Sequence, residues 1–201
     1  MSSSEYRQRV AEHPQTLPGA VGGILVTIGL VIVLRIGLGL AINDPVHPVT
    51  YLAVAGGGFG AVAMFVFNQR TGGDGRFAPV DFWAKRIGQG DVSSYQRQGL
   101  YLHVTYGAIL AGFYPRIIQE LMGGGAGNLF AAFPLSLVTG AIFGVVLFAL
   151  GMLYSVVGIF EMEYEPRTNI LRFLTAHIVF GLVLGLTVGL MKPVIGPFVG
   201  I

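Results

Sequence analysis

The chain has no cysteine and a single tryptophan, and only 11% of its 201 residues are charged. Without cysteine there is no disulfide, no thiolate metal centre and no cysteine nucleophile, and cysteine usage marks no redox compartment. The shortage of charge excludes more. Soluble domains carry about 25% charged residues, whereas here 53% of the residues are hydrophobic and the mean hydropathy is +0.71. The apolar residues run together in long stretches, which leaves an integral membrane protein as the class. H-E-x-x-H, G-x-S-x-G and P-loop motifs are absent, and no basic stretch interleaved with aromatics points to nucleic acid.

A helix needs roughly 20 apolar residues to cross a hydrocarbon core of about 30 Å. Five stretches qualify: 19–42, 50–68, 100–122, 135–160 and 171–191. The expected fold class is an all-α membrane protein, with a polar segment over 1–18 and a single domain of five transmembrane helices over 19–201. The first apolar run is too long for a secretory signal and lacks a small-residue cleavage site, so it is expected to be retained.

Lys and Arg accumulate on the cytoplasmic side. Arg7 and Arg9 precede the first span; Arg70, Arg76, Lys85, Arg86 and Arg97 lie between spans two and three; Arg167 and Arg172 lie between four and five. The intervening loops "NDPVHP" and "GGGAGN" carry neither. This predicts an inside N-terminus, an outside C-terminus, Lys192 at the outer end of span five, and a multi-pass location in a prokaryotic cytoplasmic membrane. The cytoplasmic loop 69–99 contains "FAPVDFWAKRIGQG", an expected interfacial segment. There Asp81 caps a short helix, Phe82, Trp83 and Ile87 face lipid, and Lys85 and Arg86 meet phosphates.

Two later spans begin alike. His103, Gly107 and Leu110 align with His177, Gly181 and Leu184, and Ala111 with Gly185. In the helices before them "GGGFGAV" aligns with "GAIFGVV", matching Gly56 to Gly140 and Gly60 to Gly144. A duplicated two-helix unit, spans two and three against four and five, is one reading; the frequency of glycine in membrane helices is the other. His177, Gly181, Gly185 and Gly189 stand four apart and form one stripe. Small residues so spaced let helix backbones approach closely, so these glycines are candidate packing residues.

An ionisable residue inside a membrane span is a candidate functional group. His103 and His177 are expected at similar depth near the cytoplasmic end, and three readings stay open: satisfied packing groups, a proton or solute site, or axial ligands of a b-type haem with the glycines making room for the porphyrin. Toward the outer face, Arg116 and Glu120 are one turn apart and able to pair. Arg35 in span one either snorkels to phosphates or pairs with Glu120 in an outward-facing cavity. Glu161, Glu163 and Glu165 read as a solvated loop with too few ligands for a metal. "AVAGGGFGAVA" mimics a dinucleotide fingerprint but lacks the strand and βαβ context.

With its helices headed by His103 and His177, and Gly107, Gly140, Gly144, Gly181 and Gly185 following, the region 100–191 resembles small polytopic inner-membrane proteins of the YagU-like group. The resemblance implies an intrinsic membrane protein without an established activity, with a link to acid tolerance in one branch. The expectation is a non-enzymatic bundle that handles small solutes or protons, without a cofactor. The alternatives are a haem b cytochrome and a scaffold subunit packing through glycine faces. Its expected partners are the lipid bilayer and either copies of itself or other membrane subunits, with no nucleic acid.

Overall fold

A computed structural model describes residues 49–71, 78–84, 91–124, 128–156 and 167–199, and these are all helix, turn or connection, with no strand among them. In chain order the helices are α1 (Val49–Arg70), α2 (Ala78–Trp83), α3 (Gln96–Ala111), α4 (Tyr114–Leu121), α5 (Leu135–Val156) and α6 (Arg167–Val199). Short 3-10 turns at Val92–Tyr95 and Leu129–Ala131 lead into α3 and precede α5. Three helices are long and apolar enough to cross a membrane, over Val49–Asn68, Leu135–Met152 and Ile170–Phe198. The expected first span, 19–42, lies outside the described residues.

The expected third span, 100–122, is two helices. Pro115 has no N–H to give the carbonyl of Ala111, so the α-helical ladder stops there and the chain turns through Gly112 and Phe113, whose N–H groups donate to Ile109 and Leu110 at 3.0 Å each. Pro115 then stands in the first turn of α4, where its missing N–H costs nothing. The end of α4 is a glycine stop. Gly123 and Gly124 have φ of 77° and 73°, and their N–H groups donate back to Glu120 at 3.1 Å and Gln119 at 2.8 Å. This pairing requires a left-handed residue that glycine adopts without strain.

The order of packing is α3 on α1, α1 on α6 and α6 on α5, with α4 touching both α1 and α5. The main core fills the space between them. Leu52, Tyr114, Phe143, Phe180, Leu184 and Val188 are all buried in it. One polar tie crosses this core: the Tyr114 hydroxyl donates to Thr139 Oγ1 at 2.7 Å, and Thr139 donates to the Phe130 carbonyl at 3.0 Å. The phenol thereby places its ring edge-on to Phe130 and Phe143 without leaving a buried hydroxyl unpaired.

The matched glycines do not build two equivalent units. Gly56 and Gly60 of α1 face Leu184 and Phe180 of α6, while Gly140 and Gly144 of α5 face Gly181 and His177 of the same helix. Both glycine helices therefore meet α6, from two sides. The contact of α1 with α3 uses the neighbouring stripe, where Gly57 lies against Gly107 and Ala111, and Ala61 against Gly107.

On α6, Gly181 and Gly185 face the backbone carbonyls of Gly140 and Ser136, and Gly189 faces the Ser136 hydroxyl. A methyl group at Gly140 or Gly181 would have to occupy the place of an opposing carbonyl. Overpacking of this kind costs about 1–3 kcal/mol. At Gly58 an added Cβ meets nothing within 4 Å, so alanine there brings only its helix propensity, up to about 1 kcal/mol of stabilisation. Gly181→Ala is expected to lower the thermal unfolding midpoint in detergent and Gly58→Ala to leave it unchanged or raise it, measured by fluorescence-detected size exclusion after heating.

Candidate functional site

His103 stands on α3 and His177 on α6, and the charge of one falls within the electrostatic range of the other. They do not face each other across one slot. His103 is only 2% exposed and has the backbone of Ala61 on α1 as a partner. His177 turns the other way. Its ring packs on Phe173 and Phe148, with centroids at 4.3 and 6.2 Å, and its Nε2 lies 3.9 Å from the Cβ position of Gly151 on α5.

The partners of the two rings assign their protons differently. The Tyr106 hydroxyl donates to His103 Nδ1 at 2.6 Å, with the rings edge to face at 5.0 Å; a phenol donating there leaves the neutral ring's proton on Nε2. His177 Nδ1–H donates to the Phe173 carbonyl at 2.8 Å, which leaves Nε2 as the acceptor. The pair thus combines opposite tautomers on adjacent seams.

A second group of polar atoms lies one turn from His103. Gln98 is 6% exposed, and neither its amide nitrogen nor its amide oxygen has a hydrogen-bond partner among the described residues. The Trp83 indole N–H and the Gln96 amide nitrogen are likewise buried and unpartnered. Spacings of three and four put Gln98 on the α3 face of Tyr95 and Leu102, both of which pack with Trp83 in a small satellite core that Phe65 and Tyr106 join. Val80 of α2 sits directly over Gly99, which has no side chain to hold it off. Polar groups buried without partners cost about 1–3 kcal/mol each.

Within "FAPVDFWAKRIGQG" this satellite core corrects the expected lipid-facing position of Trp83. Trp83 is 1% exposed and faces the bundle. The helix begins at Ala78, with Pro79 in its first turn, so Asp81 stands inside it and not at its cap. Lys85, Arg86 and Ile87 lie outside the described residues, as does the side chain of Phe82.

At the opposite end Arg116 and Glu120 form an i,i+4 ion pair at 3.2 Å, with side chains 67% and 66% exposed. Glu120 is therefore engaged by Arg116 at an exposed position; exposed pairs of this kind contribute about 0.3–0.5 kcal/mol. Arg35, Asp44 and the glutamates at 161, 163 and 165 lie outside the described residues. Lys192 donates from Nζ to the Asn128 carbonyl at 2.9 Å, joining α6 to the connection before α5. The helix continues to Val199, past Pro193 and Pro197. The expected span ended at 191; a transmembrane helix tolerates internal proline, and this one runs on through both.

Among the described residues the space expected for a porphyrin is taken. Gly107 is closed by Ala61 and Phe180, and Gly144 and Gly181 by opposing backbone. The two rings, opening on different seams, offer no common axis for one iron. No group of three or more His, Asp or Glu among the described residues could hold a metal ion.

No family model, curated protein or solved structure matches the chain. The sequence had marked both histidines by their position at the heads of apolar helices. Gln98 went unmarked, and Trp83 was marked only as a lipid-facing anchor, because nothing in their spacing shows that α2 folds onto α3; only Gly99, which Val80 covers, carried a trace of that contact. With ¹⁵N-labelled histidine, and the signals of His103 and His177 assigned among the four histidines by His103→Gln and His177→Gln, the first ring is expected protonated at Nε2 and the second at Nδ1, and Tyr106→Phe changes only the first.

Proposed function

We propose that this is a non-enzymatic accessory protein of the cytoplasmic membrane whose His103, Tyr106 and His177 form a one-sided proton-binding centre. The observation that carries the reading is the burial of His103 between a phenol and a backbone partner, within range of a second histidine. Imidazole, unlike the phenol and amides near this end, can accept a second proton at a ring nitrogen and return it.

A conduit through the whole bundle is the weaker form of this reading. Beyond the histidines the core is filled mainly by Phe143, Phe180, Leu184 and Val188, the Tyr114–Thr139 hydroxyls there are tied to each other and to the Phe130 carbonyl, and the charged pair at the far end lies outside that core. The proposed centre therefore takes up and returns protons on one side, and its state is sensed through α6, which both α1 and α5 contact. The charge pattern supports placing this end in the cytoplasm. It also supports five spans with the N-terminus inside and the C-terminus outside. The glycine contacts along α6 support assembly through close helix packing, including with copies of the same chain. His103, His177 and the glycines after them also carry the proposed kinship with the YagU-like families.

The test is a rapid pH step on the purified protein in detergent, with proton uptake counted by an indicator dye. The native protein is expected to take up more protons than the His103→Gln/His177→Gln variant, while proteoliposomes of both leak no faster than empty vesicles. Equal uptake by the two proteins would falsify the centre.

A further inference from the structure

The stripe that seals α6 against α5 does not stop where α5 begins. Gly181, Gly185 and Gly189 are followed at the same spacing of four by Pro193 and Pro197, on the same face of the helix. Opposite the prolines the chain has left α5 and runs through the turn containing Ala131 and Phe133. An open cavity of about 420 Å³ remains there, lined by Phe133, Gly189, Lys192, Pro193 and Pro197 among others.

Its polar groups are of two kinds. Lys192 brings an ammonium with one hydrogen donated to Asn128, two further hydrogens and no carboxylate partner among the described residues. The prolines supply acceptors. Pro193 has no N–H for the carbonyl of Gly189, and Pro197 none for that of Pro193, so the carbonyls missing their i+4 donors belong to two residues that line the cavity. Phe133 of the lining is 55% exposed, and Val194 and Phe198, each next in sequence to one of the prolines, are 65% and 87% exposed. A cation, two acceptor carbonyls and an apolar rim, on a helix apolar enough to cross a membrane, match a molecule with a phosphate, a hydrogen-bonding ammonium and acyl chains.

We propose that this cavity binds the headgroup of an ethanolamine phospholipid, the phosphate on Lys192 and the ammonium on the carbonyls of Gly189 and Pro193. The site is separate from the histidine centre and does not depend on it. Choline phospholipids share the phosphate and the acyl chains, but their quaternary nitrogen has no N–H to donate.

The full chain, purified and delipidated in detergent, would be titrated with phosphatidylethanolamine, phosphatidylcholine and phosphatidylglycerol of identical acyl chains and read by native mass spectrometry. The ethanolamine lipid is expected to bind about tenfold more tightly than the choline lipid, as a charge-assisted hydrogen bond implies. Lys192→Met is expected to weaken both. Pro193→Ala/Pro197→Ala returns the missing N–H donors without removing bulk from the core and is expected to bring the two lipids to equal affinity. Equal binding of the three lipids by the native protein would overturn the proposal, as would an unchanged preference in the double proline variant. Displacement of the lipid by millimolar inorganic phosphate would show a free-anion site instead.

Discussion

The closest constraint in the molecule is the line along which α5 and α6 meet backbone to backbone. Lipid gives two apolar helices no hydrophobic reason to associate, so association depends on packing and on interhelical hydrogen bonds. At Gly140, Gly144, Gly181 and Gly185 the contact leaves no room for a side-chain carbon. Once this line is set, the opposite face of α6 presents Phe180, Leu184 and Val188, and α1 closes on it through Gly56 and Gly60. The position of α3, and with it His103, follows from α1. The two histidines come to one end of the bundle because their helices are held to α6 and α1 in these registers.

The polar groups divide between the ends according to what each can satisfy. At the histidine end, buried imidazoles take a phenol and carbonyls as partners, and a few amide and indole groups are left over. Across the main core one hydroxyl chain, from Tyr114 through Thr139 to the Phe130 carbonyl, resolves its own hydrogen bonds. At the Lys192 end charge lies at the surface, in the Arg116–Glu120 pair, or reaches back to a loop carbonyl. An apolar middle with polar ends suits a protein that senses from one side better than one that passes ions across.

Much of this was readable from apolar length. The helices α1, α5 and α6 coincide with three expected spans because a run of some 20 apolar residues has few other destinies. Length was also what misled at 100–122, where Pro115 breaks a stretch that hydropathy alone joins, and at 191, the expected end of a span that the helix passes. Arg116 and Glu120 were legible as a pair because helical spacing alone brings them together. The placement of Trp83 was not, since an aromatic beside basic residues suits a membrane surface as well as a satellite core, and the choice rests on the long-range contact of α2 with α3. The glycine stripe of α6 was legible as a stripe, but its partner was not: alignment pointed to two similar helix pairs, whereas the matched glycines of α1 and α5 converge on one helix.

The absence of native cysteine makes the central contact directly measurable. In the structure the Cβ position of Gly189 lies 3.3 Å from the Ser136 Cβ, close to the separation of about 3.5–4.5 Å across a disulfide. Ser136→Cys/Gly189→Cys in native membranes is expected to close into an intramolecular disulfide under mild oxidation, while Ser136→Cys paired with Leu190→Cys, one residue off the stripe, does not. Failure of the first pair to close, or equal closure of both, would contradict the register of α5 on α6 from which the placement of both histidines is derived.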